Sequence, residues 1–437
     1  MKTYLRNLFE SVSQSLWLMP ALSISLAVFM AYAMLQWEGT IDSDWKDFPF
    51  VLRSGREASL AIVSAIVGSL ITVAGVTFSI TIVSLTLASS QFGPRLLRNF
   101  LQSRASQFTL GALVGSFVYG ILIMPGIDEH WVASEAHPSV SLMIALACFC
   151  VCMIVYYIHH VATSIQADSL VSVVYRELEC RIEKLGKREN KRPKVDTPEW
   201  NGRSVEVKAE RSGYVTAIDC EGALEGASQR NLRVRFFKRA GKFVAKGEPL
   251  AAVFGESEPK AAAKMVREWV FVGEKRTPEQ DLEFLVDQLV EVALRAISPG
   301  INDPNTALVC IDYLAAAMRQ LSERDLPPCY YLDTEDAERV YCPQTDYDGL
   351  VNGVFDQLRQ SGRSYPEIVI RLIESLESIA RSLPEGDVRL AALQRQWEQL
   401  AEGHDTCDKD SSKDRADVVR SLDSCKSALA ARRSVGG

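Results

Sequence analysis

Histidine is almost missing from this chain. There are five in 437 residues, and His404 is the only one beyond position 160. With so few imidazoles, histidine acid–base chemistry is excluded from most of the C-terminal half. The nucleophile elbow G-x-S-x-G, the Walker loop, the H-E-x-x-H zinc signature and a G-x-G-x-x-G turn after a strand are absent too. The sequence therefore predicts a protein that is not an enzyme, with no cofactor and no metal. No Asp, Glu or Lys falls inside any long apolar run, which argues against a proton-coupled carrier with an intramembrane carboxylate. A concentrated basic stripe is also lacking. The formal charge of −7 is spread over both signs, and the run KRENKRPK at 187–194 reads as a solvated linker, so no nucleic-acid partner is expected.

The ten cysteines avoid both expected external loops, so no disulfide framework is implied. Cys148, Cys150 and Cys152 at i, i+2, i+4 point around a helix and cannot converge on a metal. His130 and His137, in an acidic loop, and His159 and His160 lack metal-ligand spacing.

What the chain does contain is apolar sequence, nearly all before residue 165. The run from Ser59 dominates: roughly 30 residues pass without a charge, about 45 Å of helix against a hydrocarbon core of about 30 Å. Ser54 and Glu57 before it have capping-box spacing. Gly93-Pro94 ends it and starts a short basic amphipathic segment, in which Arg95, Arg98 and Arg104 would address phosphates at the cytoplasmic interface. Within the run, Thr72, Ser79 and Thr86 recur every seven residues, as do Thr77, Ser84 and Gln91. They read as two neighbouring hydroxyl stripes forming a polar face. Such hydroxyls either line a path or bond back to their own helix or across to neighbours.

Four spans are predicted, at about residues 16–36, 59–88, 107–124 and 140–158, making residues 1–160 the transmembrane domain. Basic residues in the second loop and their absence from the third place both termini in the cytoplasm, and the first span reads as retained rather than as a signal peptide. Gly111 and Gly115 give the third span close-packing G-x-x-x-G spacing.

After the fourth span, an apolar face at Val171, Val174, Leu178 and Ile182 predicts a stalk helix and linker over 161–200, packed on the chain's own soluble domain. The period then changes to two, with strand-like segments over 201–256. SGYVTAID paired with GKFVAKGEPLAAVF resembles the halves of a biotinyl/lipoyl-type barrel. Lys238 in FFKRAG lacks the context of a modified lysine, so a structural or docking module is expected. A helical region follows over 257–401. Thr277-Pro278 is expected to open its first long helix, Asn302-Asp303 in SPGINDPNTAL forms a joint, and CYYLDTEDAERVYC is a hairpin. The charged tail, 402–437, reads as disordered. The fold class is thus an α-helical membrane protein with a cytoplasmic α+β region containing a barrel-like module and a helical bundle.

Two blocks, VAGVTFSITIVSLTLASSQFGPRLLRNFL and RTPEQDLEFLVDQLVEVALRAISPGINDPNTALVCIDYL, resemble a bacterial family of predicted membrane proteins, domain of unknown function 2254, over about residues 5 to 400. The resemblance implies an inner-membrane protein with a cytoplasmic C-terminal region, and it brings no activity. Two functions stay open. One is an oligomeric passive channel lined by the second span, with the arginines as a collar. The other is a membrane-anchored sensor or scaffold with a cytoplasmic protein partner. The lipid bilayer and further copies of the chain are the partners expected first.

Overall fold

The computed structural model describes residues 18–38, 55–92, 104–129, 138–164, 167–188, 198–404 and 412–433. The chain divides into two compact units, Met1–Ser169 and Leu170–Gly437.

The first unit contains α1 (Leu18–Glu38), α2 (Arg56–Phe92), α3 (Arg104–Glu129) and α4 (Pro138–Ser164). All four are long and apolar enough to cross a bilayer. In lipid, little hydrophobic force draws helices together, so close backbone approach has to do it. Gly111 and Gly115 of α3 provide this against α1, where a Cβ on Gly115 would come within 3.1 Å of the Ser23 carbonyl oxygen. The G-x-x-x-G reading of the third span therefore matches the packing. Polar links add specificity. The Tyr157 hydroxyl of α4 donates to the Thr77 carbonyl (3.2 Å) and lies 2.6 Å from Thr81 Oγ1, both on α2. Glu38 at the end of α1 accepts the Ser139 amide (2.7 Å), satisfying an orphan donor in the first turn of α4.

In the second unit, α5 (Ala167–Glu183) packs on α9 (Pro304–Ser322), with Tyr175 and Tyr313 rings 4.6 Å apart and Gln320 donating to Glu179 at 2.7 Å. The strands are β1 (Ser204–Lys208), β2 (Gly213–Ile218), β3 (Arg233–Phe236), β4 (Phe243–Val244), β5 (Pro249–Phe254), β6 (Val270–Gly273), β7 (Tyr330–Leu332) and β8 (Glu338–Tyr341). They do not close into a barrel. One sheet runs β1-β5-β3-β8-β7 and the other β4-β2-β6. The expected barrel-like module fails because β8 arrives from the distant hairpin and pairs in parallel with β3, Val234 opposite Val340. Such a pairing joins residues a hundred apart, so a barrel confined to 201–256 is not what forms. Helices α6 (Cys220–Gln229) and α7 (Pro259–Trp269) contribute Ala223, Ala227, Ala262 and Trp269 to the shared core with Val215, Val244 and Val253.

The remaining helices are α8 (Leu282–Ala296), α9, α10 (Tyr347–Gly362), α11 (Pro366–Ser382), α12 (Leu390–His404) and α13 (Ser412–Arg433). Two local expectations need correction. Asp281, not Thr277, caps α8; its carboxylate accepts the Phe284 amide, while Thr277 bonds the Thr216 carbonyl. The tail is also not featureless. Val418, Leu422, Cys425 and Leu429 fall at intervals of four, three and four, enough to bury one stripe of α13 although the rest of the helix is polar. The α13 end is tied in by Arg432, which donates to the Arg381 carbonyl at the end of α11. Arg389 does the same for α9, donating to the carbonyls of Leu321, Ser322 and Arg324.

Candidate functional site

The α2 hydroxyls do not form one face. On a helix, five residues advance 500°, leaving Thr72 and Thr77 about 140° apart. Thr77 is buried toward α4, whereas Thr72, Ser79 and Thr86 are exposed on the opposite side and Ser84 is half-buried. Each exposed hydroxyl donates to the carbonyl four residues back: Thr72 to Gly68 (2.9 Å), Ser79 to Gly75 (3.0 Å) and Thr86 to Ile82 (2.9 Å). Back-bonding of this kind satisfies a hydroxyl in lipid without any path for solvent. Gln91 lies in the last turn of α2 and Arg104 at the start of α3. Arg95 and Arg98, the remainder of the expected collar, lie outside the described residues, as do His130 and His137.

The Asn302–Asp303 joint is built as a connection between α8 and α9. Asn302 takes a left-handed backbone (φ 51°), a conformation Asn tolerates, and its side chain accepts the Tyr365 hydroxyl at 3.1 Å. Asp303 caps α9 through the Thr306 amide (3.2 Å) and also accepts the Thr306 hydroxyl (2.6 Å), with Pro304 in the first turn. Asp303→Ala is expected to cost about 0.5–2 kcal/mol, and Asp303→Ser or Asn much less. Thermal unfolding of the full chain measures this. If Asn and Ala both removed function in proteins that stayed equally folded, the carboxylate would have a role beyond capping.

Sequence reasoning did not find the cleft that the second unit forms. It has a volume of about 430 Å³ and lies where the β3–β4 turn meets the starts of α8 and α10. Arg239 and Lys242 come from the turn, Glu283, Val286 and Asp287 from α8, and Gln344, Thr345 and Asp346 from the segment after β8. Gly349, Leu350 and Gly353 of α10 complete it. Val286 and Leu350 give an apolar floor. Gly353 keeps it open, since among the described residues a Cβ there would touch only Val286, at 3.9 Å.

The cleft's edge is charged and ordered. Glu283 is ion-paired with Arg239 and lies 3.5 Å from Lys242. Burial pushes its carboxyl up, but the Arg239 hydrogen bond and charge, with Lys242, outweigh this and hold it below the usual glutamate range. Asp287 pairs with Arg276 at 2.7 Å, and Asp346 caps α10 through the Gly349 amide, also at 2.7 Å. Beneath, Gly241 (φ +85°) leaves room for the Asp281 carboxylate. The individual residues were visible in the sequence. Their convergence depends on the β8–α10 connection being carried to the β3–β4 turn by the parallel β3–β8 pairing. Among the described residues, no group of three His, Cys, Asp or Glu side chains is placed to hold a metal ion.

Four apolar helices joined to a mixed α+β unit define a multi-pass membrane protein. The chain belongs to the family described as predicted membrane protein (DUF2254), whose pattern matches residues 13–378. It is similar to uncharacterized proteins of two strains of Mycobacterium tuberculosis and of Mycobacterium bovis, at 28% identity over 347 residues. The match covers 76% of this chain and 65% of the length of those mycobacterial relatives. No solved structure matches.

Proposed function

We propose that the protein is a membrane-anchored sensor or scaffold whose second unit binds a small polar molecule in the cleft beside Glu283. The observation that carries this reading is the cleft itself. Seven charged or polar side chains converge around it over Val286 and Leu350, a lining that suits a polar molecule, and a concave space with fixed polar groups is where small molecules bind. A Cβ added at 353 meets no described backbone within 4 Å, and a Leu there is expected to occupy the cleft. Native mass spectrometry of the full chain in nanodiscs is expected to show a small-molecule adduct on the wild type that Gly353→Leu loses. No adduct, or the same adduct on both, would count against the reading.

This reading takes the second unit as cytoplasmic, in an inner membrane, with both termini inside, from the loop charges. A thiol introduced at Ser134 is expected to react with an impermeant reagent from outside, and one at Ser103 is not. The reverse pattern would put the second unit outside the cell.

One observation favours a second reading, self-association into an oligomer and from it a passive channel. The exposed side of α2 carries Gly68, Thr72, Gly75 and Ser79, and among the described residues nothing lies within 4 Å of either glycine's missing Cβ. Small residues so spaced let a second backbone approach. A homo-oligomer through this stripe would explain its composition, and a conduit would further require the hydroxyls to leave their carbonyls.

A further inference from the structure

The three-stranded sheet has one face in the core and one outside. Val215, Val244 and Val272 belong to the buried face. Side chains alternate along a strand, so Tyr214 and its partner Phe243 point outward together, with ring centroids 5.3 Å apart. Gly273 lies opposite Tyr214, so Phe271, two residues away on β6, shares that outer face. Phe243 is 51% exposed and Phe271 38%. Scattered single hydrophobics need no explanation, but three aromatic rings on one small sheet do.

The register adds charge to the rings. Because β2 runs antiparallel to both neighbours, its start lies beside the ends of β4 and β6. The residues just beyond those three strand ends include Arg211, Lys246 and Lys275, all exposed and none paired with a carboxylate among the described residues. The turn holds together locally: the Lys246 amide donates to Ser212 Oγ (2.9 Å), and Arg211 donates to the Val272 carbonyl. Of the acids nearby, Glu210 is taken by Arg267 and Glu248 by Lys238 and the Ala245 amide, leaving Glu274. Cations therefore prevail at this end of the sheet.

We propose that the outer face of the β4-β2-β6 sheet, with Tyr214, Phe243 and Phe271 flanked by Arg211, Lys246 and Lys275, docks on an anionic phospholipid surface. Aromatic rings partition into the headgroup–acyl boundary, and basic side chains beside them meet phosphates. The complement is specific to that occupant. A second copy of the face would bring its own cations to the contact, whereas anionic headgroups neutralise them. The chain is also tied to a bilayer by its spans, so the surface is always at high effective concentration.

The test attaches an environment-sensitive fluorophore at Phe243→Cys in the full chain, with Cys148, Cys152, Cys180 and Cys407 changed to Ser. In nanodiscs containing phosphatidylglycerol, emission is expected to shift to the blue and to be quenched by brominated acyl chains. Both effects should be lost in pure phosphatidylcholine, and lost again in phosphatidylglycerol when Arg211, Lys246 and Lys275 are all Gln. A label at the exposed Val388 should stay water-like throughout. Water-like emission from position 243 in both lipids would overturn the proposal. So would a blue shift without bromine quenching, which would indicate a protein contact, or one appearing only when RNA is added.

Discussion

Asp281→Ala is expected to destabilise the second unit by about 3–5 kcal/mol, the usual cost of removing one partner from a buried ion pair. The Asp281 side chain is fully buried. One carboxylate oxygen takes two guanidinium contacts from Arg276, each at 2.8 Å, and the other accepts the Phe284 amide at the start of α8. Removal leaves Arg276 with Asp287 alone and the helix end without its cap. Asp281→Asn, which keeps an acceptor for the amide, should lie between. Replacing Arg276 and Asp281 together by apolar residues should cost less than the sum of the singles, since neither then strands a charge. Native-state hydrogen exchange of the α8 amides in the full chain reads each variant. A cost below about 1 kcal/mol for Asp281→Ala would show that the buried pair is not what fixes the floor of the cleft.

The second large effect is expected in the membrane. Gly115→Leu would force the side chain into the backbone of α1 at Ser23, and overpacking of this sort typically costs about 1–3 kcal/mol. In lipid, where α1 and α3 are held by close contact, that is enough to part them. The full chain in mild detergent should melt earlier, and Gly115→Ala should lose less. Gly75→Leu is the informative contrast. Among the described residues nothing lies within 4 Å of a Cβ at position 75, so the change should leave a monomer's melting untouched and break an oligomer built on α2. If Gly115→Leu and Gly75→Leu were equally harmless, neither packing surface would exist as described.

These expectations differ in how far the sequence reveals them. The spans follow from length and apolarity, and the close-packing side of α3 from G-x-x-x-G, because both are local patterns; that α1 is its partner appears only in the structure. Asp303 and Pro304 announce the start of α9 for the same reason, while the nearer rival of Asp281, Thr277-Pro278, had equally good local chemistry. In the fold Asp281 is held by Arg276, five residues before it, while Thr277 bonds the Thr216 carbonyl of β2, sixty-one residues away, a contact no local pattern announces. The two-sided character of α2 is likewise decided by Tyr157, which draws Thr77 and Thr81 inward. Heptad spacing alone identified the stripes without saying which faces a neighbour. The parallel β3–β8 pair, and with it the cleft, rests on partners about a hundred residues apart, where no local signal exists. In α13, an average over composition hid four apolar residues in a line.

The most direct measurement is hydrogen–deuterium exchange on the full chain in nanodiscs, before and after the low-molecular-weight fraction of the source cells is added. If the cleft is a binding site, protection should rise in three segments that are far apart in sequence, 239–246, 283–290 and 344–353, and the rise should vanish in Gly353→Leu. Unchanged exchange in those segments, or protection that survives Gly353→Leu, would contradict the account.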